Sequence, residues 1–202
     1  MAAPDDLDNR ENWTGGYYEL AIRVGARDDV RLEMTLESVW RNAKIEGCFA
    51  RVAFRHYPAP LSLPSLERHG HLTGVVELPG GVRVVCGVVA VREERGADWL
   101  DFYLPLGALS TADSRVGGFP FGEDGGRRSR GWREPIEDWL GWIGEDVFAD
   151  VPFDYALSGF EASGRKPEDA RDHKGSYYGL LIARDGELVH EPVSCWDFAG
   201  PA

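Results

Sequence analysis

Arg127, Arg128, Arg130 and Arg133 place four guanidinium groups within seven residues, with no acid between them. Planar forks of this kind beside a helix N-terminus suit a phosphate or carboxylate group, the alternative being a solvated loop whose cations offset the neighbouring acid. The charge then reverses: residues 131–172 hold eleven Asp and Glu against four Lys and Arg. At about 100° per residue, Glu134, Asp138 and Glu145 fall within about 40° of one another, opposite an apolar stripe and flanked by Glu137. Trp142 lies off that stripe, either as an anchoring ring beside the acid or packed against the preceding loop. Glu145 and Asp146 oppose the helix dipole, and Gly141 and Gly144 each weaken a helix by about 1 kcal/mol relative to alanine. Helix stability is thus given up together at one acidic face, which is either simply solvated or a surface that steers and anchors a basic protein partner.

A second set of chemistry-bearing residues is His69-Gly70-His71. On a strand these two imidazoles would share a face and reach one metal ion, with Glu77 as a third ligand. The stretch is similar to the first metal motif of the cupins, a resemblance that would imply a bound transition metal. Its spacer to Glu77 is one residue longer than that motif, and no later segment carries the second cupin motif. The default expectation is a solvated loop pair, with no metal and no other cofactor.

Nucleophile and phosphate signatures are incomplete. Gly159 and Gly164 stand at P-loop spacing, but Arg165 occupies the lysine position and no Ser or Thr follows. No G-x-S-x-G elbow occurs. Cys48, Cys86 and Cys195 form no CxxC pair, and Cys48 and Cys86 lie in apolar runs as small buried hydrophobes. These motifs leave open whether the chain is an enzyme.

The chain carries 34 acidic against 22 basic side chains, a formal charge of −12, which argues against wrapping duplex nucleic acid. The basic set is 19 Arg and 3 Lys, a bias that a GC-rich genome produces. The first twenty residues lack a signal-peptide pattern, and no apolar run spans a bilayer, so a soluble cytoplasmic protein without membrane contact is expected. In size, acidity and aromatic content the chain is similar to the immunity proteins that neutralise bacterial toxins, which would imply a basic protein as partner. The alternative is a small-molecule enzyme or carrier. Its pocket would lie between the sheet and the loop from Val116 to Gly131, with an anionic ligand held under the arginines of residues 116–133.

Placing these residues requires an α+β fold: a mainly antiparallel sheet of about six to eight strands with two principal helices. Residues 1–12 read as an acidic tail and 13–202 as one domain with a mobile loop at 116–131. Strands are expected at Tyr17–Val24, Cys48–Phe54, Leu72–Leu78, Val82–Glu93 and Trp99–Leu104, the last with Asp101 turned outward. Further strands follow at Phe153–Ser163, Tyr177–Ala183 and Glu187–His190. One helix follows the cap at Asp28 or Asp29, and the other runs from Pro135 to about Ala149. The proline-bearing segment from His56 to His71 reads as a loop.

Overall fold

Side chains that alternate between the two sides of each strand build one sheet with a helical face and an outer face. The structure is a computed structural model that describes residues 4–53, 55–93, 96–113, 115–116, 127–170 and 178–192. Its strands in chain order are β1 (Tyr17–Ala26), β2 (Glu46–Val52), β3 (Arg55–Pro58), β4 (His71–Glu77), β5 (Arg83–Arg92), β6 (Ala97–Pro105), β7 (Tyr155–Phe160), β8 (Gly179–Arg184) and β9 (Glu187–Glu191). All pairings are antiparallel. The spatial order is β3-β2-β4-β5-β6-β1-β7-β8-β9. The α+β class is as expected, and the nine strands exceed the expected range by one. The apolar run at Val82–Val91 becomes the interior strand β5, between β4 and β6.

Four α-helices lie among the described residues: α1 (Asp29–Asn42), α2 (Leu63–His69), α3 (Leu106–Ala112) and α4 (Arg127–Asp150). Asp28 caps α1 by accepting from the amides of Val30 and Arg31. The segment from His56 to His71 is not all loop. It contains β3 and α2, because Ser62 accepts from the Ser65 amide and Pro64 sits in the first turn, where its missing donor costs nothing. Helix α3 was not expected; Leu106, Ala108 and Leu109 bury its apolar side.

Helix α2 packs on β2, β4 and β5, α1 on β1 and β6, and α4 on β1, β7, β8 and β9. Leu36, Trp40, Ile136, Leu140 and Ile143 bury their side chains in the core as the helical periodicity predicts. Trp139 is only partly buried, edge-on to Phe102 with ring centroids 6.1 Å apart. The expected acidic tail is part of the packed fold. Residues 4–13 form two 3-10 turns that dock on β3, β4 and α3 and bury Leu7.

Arg92 ties this assembly together at one end. Its Nε donates to Asp98 Oδ1 at 3.0 Å, Nη1 to Glu67 at 2.7 Å and Nη2 to Asp29 at 2.6 Å. One guanidinium thus joins β5, β6, α2 and α1. Asp98, which is buried, also accepts from the Asp28 amide at 3.0 Å, fixing the entry to α1. Removing one partner of a buried ion pair strands the other charge. Arg92→Met is therefore expected to cost ~3–5 kcal/mol, read from urea unfolding, whereas Arg83→Met, at the other end of β5, should cost less because its partner Glu46 is largely exposed.

Candidate functional site

The N-terminal part of α4 and the C-terminal half of α3 frame a cleft of about 410 Å³. Its walls are mostly apolar: Leu78, Pro79 and Val82 from the β4–β5 turn, Leu109 and Ala112 from α3, and Trp132, Pro135 and Ile136 from α4. Trp132 is buried on its other side against Tyr18, edge-on at 5.5 Å between centroids, so the indole is a fixed wall. Asp113 and Arg115 line the polar part, with the Arg115 Nη2 donating to Asp113 Oδ2 at 2.6 Å. On the other side of α3 lies a second compartment of about 340 Å³, lined by Asp6, Asn9, Asn12, Arg83 and Thr111 together with apolar residues. Val82 and Ala112 line both compartments. Of the residues lining this second compartment, Asn12 and Arg83 each keep one side-chain atom, Oδ1 and Nε, buried without a hydrogen-bond partner, and leaving such groups unpaired is costly.

The acidic face expected on α4 is redistributed. Helix α4 starts at Arg127, eight residues before the expected start at Pro135, which lies inside it. Glu137 and Asp138 are 1% and 7% exposed, so the face opposite the stripe is not free acid. Burial pushes the Glu137 carboxyl up to about 7, with nearby Arg133 opposing that rise. Glu134 is half-buried, while Trp142 is 54% exposed and Glu145 is exposed. Glu145 is engaged by His190 of β9, Nδ1 to Oε1 at 2.6 Å. The two helix glycines are packing devices. A Cβ on Gly141 would lie 2.5 Å from His190 Nε2, and one on Gly144 would lie 2.9 Å from Leu181 Cδ2.

Arg133 is also not a loop cation. It is buried, 3.9 Å from Glu137 Oε1. Arg127, Arg128 and Arg130 belong to the first turns of α4 rather than to a loop, and their side chains lie outside the described residues, as do residues 117–126 of the expected mobile loop. The histidine pair is split: His69 ends α2, Gly70 turns the chain at φ +77°, and His71 opens β4. His71 Nδ1 stands 3.0 Å from the Tyr103 hydroxyl, and Glu77 lies at the far end of the strand. Among the described residues no three His, Cys, Asp or Glu side chains are grouped to hold a metal ion.

A polar row on the outer face was missed. Asp101 does point away from the helical core, but it is 2% exposed, not solvated. Its Oδ2 accepts from the Ser163 Oγ at 2.7 Å, and Glu19 Oε2 accepts from the Ser163 amide at 2.9 Å. Burial raises Glu19 to about 7 and Asp101 to about 6. Acids in the middle of two strands that pair centrally were the available signal. Burial of the same strands' outer face depends on a segment some 60 residues away.

Gly141→Ala tests the packing assignment. Helix propensity alone predicts a gain of about 1 kcal/mol; displacing the His190 ring should reverse it, to a net loss of ~1–3 kcal/mol in thermal melts. Glu145→Gln, which the dipole argument makes neutral or stabilising, should instead lower stability by up to about 1 kcal/mol by weakening the His190 contact. Comparison of the chain with protein-family models, with curated proteins and with solved structures finds no match.

Proposed function

We propose that the protein binds a small amphipathic ligand in the cleft around α3. The apolar body of the ligand stacks against Trp132 between Leu109 and Ile136. Its head enters the adjoining compartment, where a hydrogen-bond acceptor meets the Arg83 guanidinium and a donor meets the Asn12 side chain. The observation that carries this reading is the juxtaposition of two compartments that share Val82 and Ala112, one walled mainly by apolar side chains and the other by polar and apolar residues in equal number. Binding sites for small molecules are typically of this size and are lined by apolar walls with a few placed polar groups. The burial of Arg133 against Glu137 favours a ligand held from the α3 side over one clamped by that arginine.

The acidic docking face has less support, since Glu137 and Asp138 are buried and Glu145 is held by His190. Anilinonaphthalene sulfonate has the required parts: aromatic rings, an N–H donor and an anionic acceptor. Its fluorescence should saturate at one molecule per chain. Val82→Trp, a substitution at a partly exposed residue between the compartments, should weaken binding at least about tenfold, or ~1.4 kcal/mol, with an unchanged melting temperature. Equal affinity in this variant, or uptake without saturation, would overturn the proposal.

A further inference from the structure

We infer that the segment from Glu161 to Ala170 is a pH-gated strap over a carboxylate pair on the outer face of the sheet. The pair is Glu19 of β1 and Asp101 of β6. In the register of these strands Glu19 stands opposite Tyr103 and Asp101 opposite Ala21, so the two carboxylates are diagonal neighbours. One residue of the strap closes over both: the Ser163 amide donates to Glu19 and its hydroxyl to Asp101. The strap is pinned on either side of this contact. Ala162 and Ala170 are fully buried in a small cluster with Ala21, Leu157, Tyr178 and Leu180. Between them, Gly164 at φ +73° supplies a turn, and the Tyr155 hydroxyl donates to the Arg165 carbonyl at 3.2 Å.

The strap's closed state requires two acids to sit close together out of water. Desolvation dominates at both, and the charged neighbours acting on Glu19 are the acids Asp101 and Glu161. Among the described residues, the other groups around the pair do not neutralise it. On β1, Arg23 is paired with Asp154. On β6, the Tyr103 hydroxyl is directed to His71, whose burial favours its neutral form. On the strap, Arg165 lies over the Tyr178 ring at 5.3 Å. Asp101 Oδ1 has no hydrogen-bond partner.

The sign follows from the direction of the shifts. Both carboxyls bind their protons more tightly under the strap than in water. The closed state is therefore fully stabilised below the ordinary carboxylate range and loses that stability as pH rises through about 6 and about 7. Lifting the middle of the strap hydrates the pair and lets it ionise. The strap is closed in mild acid and opens toward neutral pH. Opening brings two carboxylates to solvent beside the Tyr103–His71 contact. This inference is independent of the cleft around α3.

Amide exchange of Ser163 tests it, each rate being divided by the intrinsic rate at that pH. In the wild-type protein the opening constant should rise about tenfold per pH unit for each proton released, from about pH 5 to about pH 7. Glu19→Gln and Asp101→Asn keep an acceptor for Ser163 and remove the charge, so each should hold the strap closed and flatten the rise. A Ser163 protection that is the same from mild acid to neutral pH, or an unchanged slope in both variants, would overturn the inference. A carboxyl-carbon NMR titration of wild-type Glu19 supplies a readout without mutation: a midpoint near neutrality supports the strap, and a midpoint in the ordinary carboxylate range refutes it.

Discussion

Helix α4 rests on the sheet at two glycines, and the placement of the other groups follows from that seat. Gly141 and Gly144 remove the two side chains that would hold the helix off His190, Leu181 and Leu20. With the helix seated this closely, Ile136, Leu140, Ile143 and Val147 lie in the core, and Glu137 and Asp138 lie under cover beside them. Trp142 is left outward, and Glu145 comes within reach of His190. Burying Glu137 costs free energy, which its raised proton affinity registers and Arg133 partly offsets.

The seat of α4 also sets the cleft. Continuation of the helix past Pro135 to Arg127 brings Trp132 onto Tyr18. Proline at this place removes one backbone donor, and the burial of Trp132 offsets part of that loss. With the indole fixed, α3 stands across from it, and the β4–β5 turn closes the third side. The N-terminal 3-10 turns extend the same wall toward Asn12 and Arg83. The cleft is thus assembled from four stretches of chain far apart in sequence.

The two faces of the sheet solve different problems. The helical face is apolar and is covered by α1, α2, α3 and α4, with Arg92 and Asp98 locking its edge. The outer face carries Glu19, Asp101, Tyr103 and His71, and among the described residues the segment around Ser163 covers its centre. Polar groups tolerate such burial when they are hydrogen-bonded, and Ser163 serves two of them at once. The remaining electrostatic cost makes that cover sensitive to ionisation.

The local patterns were legible without coordinates. Strand alternation in Tyr17–Val24 and Leu100–Leu104, the Asp28 cap, the stripe of α1 and the core half of α4 depend on periodicity and on neighbours a few residues away. These suffice for an α+β class with antiparallel pairing. The helix at Leu63–His69 was legible too, from Ser62 and Pro64, but prolines at 58 and 60 obscured it. What tertiary structure alone decided is the environment of each polar side chain. Whether Asp101, Glu137 or Asp138 meets water depends on which distant segment lies over it, and whether Gly141 weakens a helix or admits a histidine depends on β9. Free energies of burial and pairing are set by contacts across the sheet, and one-dimensional spacing carries no information about those contacts.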